Sequence, residues 1–284
     1  MGDLTTIQKW LLANKYAEIE SISPIVGGCI NESARVSLTS GRSIFLKQHH
    51  KPPKNFFAAE AAGLNAMKKT CSLKVPEVLH VSREFLLLED LGDASAAADY
   101  WSILGAGLAE LHQNPKPAFG FEMDNYCGLT PQANPITTNG IEFFGFHRLL
   151  ALARRAVNLE YLANSEMSAI ETISANLGEW IPDQPAVLIH GDLWSGNVHC
   201  DKQGQPALID PACYWGWAEA ELAMTTLFGG FEQRFYSSYE SISGIATDWR
   251  DRAPLYNLYH LLNHLVLFGR SYHTQVCSVI NRYT

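Results

Sequence analysis

Acidic and amide side chains follow two short apolar segments in the last third of this 284-residue chain. The first segment, Ala186 to Ile189, leads into a polar loop with Asp192 and Asn197, and the second, Ala207 to Ile209, leads directly into Asp210. An ionised carboxylate beside a buried strand requires hydrogen bonds, a charged partner or a metal ion. The pattern therefore indicates a functional site, and its alternative is a hairpin whose polar side chains only cap turns.

The spacing of these side chains narrows the chemistry. Asp192 precedes Asn197 by five positions, which is the interval between the catalytic base and a magnesium-binding asparagine in protein kinases, and Asp210 follows at the end of the next strand. Phosphoryl transfer needs a carboxylate that orients the attacking hydroxyl and accepts its proton, and oxygen ligands that hold Mg²⁺ against the β- and γ-phosphates. We therefore predict Asp192 as the catalytic residue and Asn197 and Asp210 as metal ligands.

Three longer segments resemble the fructosamine (ketosamine) kinase family, a branch of the aminoglycoside and choline kinase group. They are HGDLWSGN at 190–197, IDPACYWGWAEAELAM at 209–224 and PLYNLYHLLNHLVLFG at 254–269. The resemblance extends over nearly the whole chain. It implies an α+β fold of the protein-kinase type with two lobes, a small N-lobe with an antiparallel sheet and a larger, mainly helical C-lobe.

The resemblance also implies a reaction. The expected activity is phosphorylation, with ATP and Mg²⁺, of the 3-hydroxyl of a fructosamine or ribulosamine, free or attached to a protein lysine, which would destabilise the adduct and permit its removal. Two alternatives stay open: a kinase of the same fold acting on an aminoglycoside, choline or a homoserine-like alcohol, and a noncatalytic nucleotide-binding protein. The family usually has a polar residue where Trp217 stands and a basic one where Ala218 stands, so the exact substrate is open.

A glycine-containing segment precedes the first alternating strand, Ala34 to Leu38. Two adjacent glycines let the backbone approach a phosphate group without Cβ clashes, although a simple hairpin turn would have the same composition. We predict that this segment covers the triphosphate, through Gly27, Gly28, Cys29 and Asn31. Cys29 is also a candidate redox switch, because a thiol in a glycine loop is accessible to oxidants, with chance placement as the alternative.

Lys47 and Glu60 are expected to hold the nucleotide from the other side. Lys47 ends the apolar strand Ser43 to Lys47, and Glu60 lies on a helix predicted over 55–69. In a kinase N-lobe, a lysine at this place contacts the nonreacting phosphates, and a glutamate on the next helix fixes it by an ion pair. Each residue alone could be an exposed surface residue, but their order behind the glycine segment favours the functional pair.

The apolar strand Glu84 to Leu88 is followed by a shift to alanine-rich helix, predicted from Asp93 to His112. We place the lobe boundary here, with residues 1–91 as the nucleotide-binding N-lobe, residues 92–284 as the catalytic and substrate-binding C-lobe, and a hinge at 88–92. Adenine needs only backbone donors and acceptors beside apolar walls. The predicted adenine contacts are therefore the backbone groups of Glu89, Asp90 and Leu91.

The segment after Asp210 is unusually aromatic, and aromatic rings beside a catalytic carboxylate can stack on sugars and exclude water. Trp194, Trp215 and Trp217 are the candidate substrate contacts, although packing of a C-lobe core explains large residues equally well. Glu219 is the fourth candidate, because an acidic pocket around Glu219 and Glu221 would suit cationic acceptors.

Several polar residues near these segments have structural interpretations. His190 is expected to support the loop by packing or a hydrogen bond rather than to shuttle protons. His260 and His264 lie one helical turn apart but lack an evident third zinc ligand, so packing is the expected role for both. Arg148 lies on a predicted helix over 140–162 and is expected on its solvated face.

Composition excludes several classes of protein. The net charge of −8 argues against a nucleic-acid partner, because phosphate backbones require an excess of Lys and Arg. No apolar run approaches the ~20 residues of a membrane span, so no membrane partner is expected. Six cysteines without CxxC spacing favour reduced thiols and a cytoplasmic location. The sequence does not reveal the oligomeric state, for which a monomer or weak dimer is expected.

Overall fold

The first part of the chain forms an antiparallel sheet with two helices. In this computed structural model, which describes residues 4–25 and 31–284, its elements are α1 (Leu4–Ala13), β1 (Ile19–Ile25), β2 (Glu32–Leu38), β3 (Ser43–Gln48), α2 (Phe56–Thr70), β4 (Val78–Val81) and β5 (Phe85–Glu89). The strand order is β1-β2-β3-β5-β4, and every neighbouring pair is antiparallel.

Both faces of this sheet are covered. Phe85 and Leu87 of β5 pack with α1, whereas Leu86 and Leu88 belong to the main core together with α2. A strand buried on both faces loses the alternation of apolar and polar residues, which explains the continuous apolar run. Successive side chains of β3 also point to opposite faces of the sheet, and Lys47 points away from α1 and towards α2.

The rest of the chain is mainly helical. Its helices are α3 (Tyr100–His112), α4 (Gly140–Phe144), α5 (Ala151–Asn158), α6 (Asn164–Ala175), α7 (Ala218–Leu227), α8 (Gln233–Ser243), α9 (Trp249–Phe268) and α10 (His273–Tyr283), and a π-helical segment, Gly145–Leu150, joins α4 to α5. Its strands are β6 (Asn125–Cys127), β7 (Thr130–Gln132), β8 (Val187–Ile189), β9 (Val198–Cys200), β10 (Pro206–Leu208) and β11 (Tyr214–Gly216). They pair antiparallel as β6 with β7, β8 with β11 and β9 with β10.

The connection between the two parts differs from the prediction. The helix expected from Asp93 begins only at Tyr100. Arg35 of β2 binds the carboxylates of Asp90 and Asp93 at 2.6 and 2.7 Å, and the carbonyl of Gly92 accepts a hydrogen bond from His199 Nε2. These contacts keep the segment out of the helix, because its acidic side chains are tied to the sheet instead of capping a helix.

The division into lobes at residue 91 stays a prediction. β5 ends at Glu89, just before that position, and the helical part follows. Among the described residues, no helix combines the length and the apolar character that crossing a membrane requires.

Gly105 allows the backbones of α3 and α8 to touch. A Cβ atom on Gly105 would lie 2.2 Å from the carbonyl oxygen of Phe235 and 3.1 Å from Cβ of Ser238. The hydroxyl of Ser238 donates a hydrogen bond to the carbonyl of Ser102 at 2.7 Å. The two helices therefore leave no room for a side chain at position 105.

Gly105→Ala should lower the free energy of unfolding by about 1–3 kcal/mol, because overpacking forces the helices apart. Gly178→Ala is the matched control, since nothing lies within 4 Å of a Cβ atom there. Alanine at position 178 should be neutral or raise the free energy of unfolding by about 0.4–1 kcal/mol. Denaturant unfolding measures both changes, and a Gly105→Ala protein as stable as the parent would contradict the close packing of α3 and α8.

Candidate active site

Lys47 and Glu60 form a buried ion pair between β3 and α2. Lys47 is 3% exposed, and its Nζ lies 2.6 Å from Glu60 Oε1 and 2.8 Å from Asp210 Oδ1. Burial lowers the pKa of Lys47, but the carboxylates of Asp210 and Glu60 outweigh burial and hold the pKa above its ordinary value. The lysine is therefore charged, and the ion pair expected from the sequence is present.

Asp210 meets this pair from the C-terminal part of the chain. It follows the strand β10 and has a φ of 56°, a left-handed conformation that is uncommon for residues other than glycine. Its side chain remains 43% exposed even though Oδ1 contacts Lys47. A strained backbone that presents a partly exposed carboxylate is typical of functional sites.

His190 connects the end of β8 to the strand that leads to Asp210. Its Nε2 donates to the carbonyl of Ile209 at 2.7 Å, and its Nδ1 accepts the backbone N–H of Asp192 at 3.3 Å. This pair of contacts assigns the neutral tautomer with the proton on Nε2. Burial lowers the pKa of His190 to about 4, so the ring is uncharged. The expected supporting role of His190 agrees with these hydrogen bonds.

Gly191 and Glu221 fix the turn before Asp192. Gly191 has a φ of 80°, and a Cβ atom there would lie 2.3 Å from the carbonyl oxygen of Ala212. The carboxylate of Glu221, on α7, accepts the backbone N–H groups of His190 and Gly191. Glu221 is 1% exposed. It therefore binds the protein's own backbone and does not contribute to an acidic substrate pocket.

Asn197 holds Asp192 in position. Its Nδ2 donates to the backbone oxygen of Asp192 at 2.8 Å and to Oδ2 of the same residue at 3.2 Å. The backbone carbonyl of Asn197 accepts the N–H of Ile209, which ties the loop to the strand before Asp210. Burial raises the pKa of Asp192 to about 7, against the opposing effect of the Asn197 amide. A carboxylate with a pKa near neutrality can both accept and release a proton.

A polar hairpin supports the backbone after Asp210. Its strands, β6 and β7, bury the side chains of Asn125 and Gln132. Asn125 Nδ2 donates to the carbonyl of Cys213 at 2.8 Å, and Gln132 Nε2 donates to the carbonyl of Ala212 at 3.1 Å. These amides satisfy carbonyl groups that the strained turn leaves without a strand partner.

Arg148 lies behind this hairpin and is fully buried. Its guanidinium donates to the carbonyl of Ala133 at 2.8 Å and to Oδ1 of Asn134 at 2.7 Å, and it stacks 4.0 Å from the ring centre of Tyr214. Asn134 in turn donates to Oδ1 of Asn125. The expectation of a solvated Arg148 was wrong, because the hairpin and Tyr214 cover this face of the helical segment.

The predicted residues meet in a cleft of about 500 Å³. All five side chains assigned to phosphoryl transfer line it, namely Lys47, Glu60, Asp192, Asn197 and Asp210. Asn31 also lines the cleft, whereas Gly27, Gly28 and Cys29 lie outside the described residues.

The hinge residues do not contribute side chains to the described lining of this cleft. Two of their backbone groups are already engaged, since the N–H of Glu89 donates to the carbonyl of Glu77 at 2.8 Å and the carbonyl of Leu91 accepts the N–H of Lys202 at 2.9 Å. Asp90 binds the sheet through its carboxylate. An adenine contact at Glu89 to Leu91 stays a prediction.

Of the predicted substrate contacts, only Trp194 is among the described residues that line the cleft, and it is 38% exposed. Trp217 is 4% exposed and packs against Phe144 and Tyr256, with ring centres 5.6 and 6.0 Å apart. Trp215 lies outside the cleft, with Lys116 Nζ 4.0 Å from its ring centre. The packing alternative therefore applies to Trp215 and Trp217.

Glu219 also lies away from the cleft. It is 5% exposed and forms a bidentate ion pair with Arg252, with both N···O distances at 2.7 Å. The hydroxyl of Tyr256 donates to the same carboxylate at 3.0 Å. The prediction of Glu219 as a substrate contact was wrong, because its charge is already neutralised inside the protein.

An aromatic wall that sequence reasoning missed also lines the cleft. His264 stands at its centre, with ring centres 4.8 Å from Phe228, 5.4 Å from Phe268 and 5.1 Å from Tyr272. The only sequence signal for this wall is that His264 and Phe268 lie one turn apart on α9. The same spacing is typical of residues packed in a core, so it could not reveal the wall. His264 was expected to pack in the core but lines the cleft, whereas His260 is buried as expected.

A crystal structure from Thermobifida fusca, assigned as a fructosamine-3-kinase, matches this fold with a TM-score of 0.86 and 30% identity, over 93% of both chains. Fold and site thus define a two-lobed kinase of the protein-kinase-like type, as predicted. The sequence profile of the fructosamine kinase family matches residues 4–284, and the chain belongs to that family. The predicted family and the prediction of an ATP-dependent kinase are confirmed.

Named relatives agree with this assignment. A Synechocystis protein assigned as a ketoamine kinase is 41% identical over 274 residues, covering 93% of this chain and 90% of the relative. The chloroplastic protein-ribulosamine 3-kinase of Oryza sativa subsp. japonica is 38% identical over 288 residues, covering 98% of this chain and 83% of the relative.

Glu60→Gln should lower kcat/KM for ATP by about 10–100-fold, because a hydrogen bond between charged groups contributes roughly 1.5–3 kcal/mol and here fixes Lys47. Glu77→Gln is the matched control, since Glu77 forms a long, exposed ion pair with Lys68 at 3.9 Å. Steady-state kinetics at saturating acceptor measures both variants. Equal losses in the two variants would contradict a specific role for Glu60.

Proposed function

We propose that this protein transfers the γ-phosphoryl group of ATP to the 3-hydroxyl of a ketosamine, a fructosamine or ribulosamine that is free or linked to a protein lysine. Membership of the fructosamine kinase family and the names of the ketoamine and ribulosamine kinase relatives support this substrate class. The observation that carries the proposal is the meeting of Lys47, Asp192 and Asp210 in one cleft.

The donor atoms in the cleft fit a magnesium–nucleotide complex. Asp210 keeps one carboxylate oxygen free of Lys47, and Asn197 uses its Nδ2 for Asp192, so its Oδ1 is available. Such hard oxygen atoms are the ligands that Mg²⁺ prefers. When bound, Mg²⁺ would neutralise charge on the β- and γ-phosphates. Lys47 would contact the nonreacting phosphates, held in place by Glu60.

Asp192 would orient the acceptor hydroxyl and take its proton. Its carboxylate is held through Oδ2 by Asn197, which leaves Oδ1 for the acceptor. Phosphoryl transfer passes through a loose transition state, so positioning contributes more than the strength of the base. The hydrogen bonds of His190 and Glu221 supply this positioning by fixing the backbone on both sides of the turn.

The aromatic wall suits a sugar acceptor. Trp194 stands beside Phe228 with ring centres 6.1 Å apart, and both line the same cleft as Asp192. Aromatic faces pack against the C–H faces of sugars and exclude water. The alternative of a cationic acceptor such as choline or an aminoglycoside loses its main support, because Glu219 and Glu221 are buried and engaged with other groups.

Asp192→Asn should lower kcat by about 10²–10⁴-fold while nucleotide affinity stays unchanged, because only the proton acceptor is removed. Asp210→Asn should weaken binding of ATP with Mg²⁺ by about 10–100-fold, because a metal ligand is lost. Asp183→Asn is the control, since Asp183 is exposed. Kinetics and calorimetry separate the two effects, and near-normal turnover of Asp192→Asn would contradict its role as the base.

A substrate panel tests the acceptor. The purified protein with ATP and Mg²⁺ should phosphorylate fructosyl-lysine or ribulosyl-lysine at the 3-hydroxyl, with far lower rates on choline, homoserine and an aminoglycoside. The position of the phosphate is read by NMR, and Asp192→Asn is the blank. A preference for any of the other alcohols would overturn the ketosamine assignment without affecting the assignment as a kinase.

A further inference from the structure

Among residues 4–25 and 31–284, two groups of three side chains bring metal-ligating atoms within 4.8 Å of one another. One group, Cys127, Asp192 and His260, includes two residues that line the cleft described above, Cys127 and Asp192. The other group lies outside it and comprises Glu166 of α6 with His273 and Cys277 of α10; we call it the α6–α10 cluster. The proposed phosphoryl transfer makes no use of it.

The geometry of the α6–α10 cluster is close to one face of a tetrahedron. Glu166 Oε1 lies 2.8 Å from His273 Nε2 and 3.0 Å from Cys277 Sγ, and Sγ lies 3.6 Å from Nε2. In a tetrahedral zinc site with bonds of about 2.0–2.3 Å, the ligand atoms lie roughly 3.3–3.5 Å apart. A cation above the triangle therefore requires movements of less than about 1 Å.

Local structure already orients the three ligand atoms. Glu166 Oε2 accepts the backbone N–H of Ala163 at 2.7 Å, which fixes the carboxylate at the start of α6 and turns Oε1 towards α10. His273 and Cys277 are four positions apart on a helix, so both face α6. The side chains of Glu166 and His273 are 21% and 37% exposed, which leaves a path for solvent to a fourth coordination position.

We propose that Glu166, His273 and Cys277 form a zinc site that fastens the last helix, α10, to α6. A thiolate, an imidazole and a carboxylate suit Zn²⁺ better than Mg²⁺ or Ca²⁺, which prefer oxygen ligands only. On binding, the thiol of Cys277 releases its proton to solvent and Sγ bonds to the metal. Two anionic ligands and one neutral imidazole then balance the charge of Zn²⁺, so the partly buried site carries no net charge.

The test uses chelator-treated, metal-free protein and two probes, Zn²⁺ in calorimetry and Co²⁺ in absorption spectroscopy. The parent should bind one Zn²⁺ per chain, show a cobalt–thiolate charge-transfer band, and unfold at a higher Tm with zinc. Cys277→Ser should lose the band, and both Cys277→Ser and His273→Gln should bind zinc at least about 10-fold more weakly. Glu166→Gln, which still accepts from Ala163, should keep the band but bind more weakly.

Cys127→Ser is the matched control, because Cys127 belongs to the other group of ligand atoms. It should leave the zinc stoichiometry and the cobalt band unchanged. Loss of the band in Cys127→Ser instead of Cys277→Ser would assign the metal to the cleft and overturn the proposal. A parent protein without zinc binding or a cobalt band would overturn it as well, and would show that the α6–α10 cluster is only hydrogen-bonded. Cys277 lies outside the catalytic cleft, so retained kinase activity of Cys277→Ser confirms that the variant is folded.

Discussion

The contact of Lys47 with two carboxylates joins the parts of this protein that must act together. Lys47 belongs to the sheet and Glu60 to α2. Asp210 belongs to the loop after β10, 163 positions after Lys47 in the chain. The buried ammonium group of Lys47 and the buried carboxylate of Glu60 each require a partner of opposite charge or several hydrogen bonds. Each of the three residues therefore depends on the others, and their contact defines the distance across the cleft.

The loops that complete the cleft are held by polar groups rather than by long strands. The strands β8 to β11 have three residues each, which is too short to fix a loop by pairing alone. Glu221 binds the backbone before Asp192, and His190 binds the carbonyl of Ile209 before Asp210. Asn125 and Gln132 bind the backbone after Asp210. Buried hydrogen bonds of this kind specify one geometry, because a displaced partner would leave a polar group unsatisfied.

The part of the cleft where we propose that the acceptor binds is built from aromatic rings instead of polar groups. Its wall is aromatic and comes from the ends of α7 and α9 and the segment before α10, whereas the charged groups of the cleft come from β3, α2 and the loops after β8 and β10. This division suits a reaction between a highly charged donor and an uncharged hydroxyl on a sugar. It also places the acidic residues Glu219 and Glu221 in supporting roles, where they bind Arg252 and the backbone.

The sequence by itself determined the polar groups that meet in the cleft, their order, and the strand and helix that carry Lys47 and Glu60, because these follow from local periodicity and motif spacing. Only the tertiary structure decided which polar and aromatic residues face the cleft. Arg148, Trp217 and Glu219 are enclosed, whereas His264 and Phe268 line the cleft. Burial depends on contacts between distant residues, such as Glu219 with Arg252, and a helical pattern looks the same whether its apolar face meets a core or a cleft.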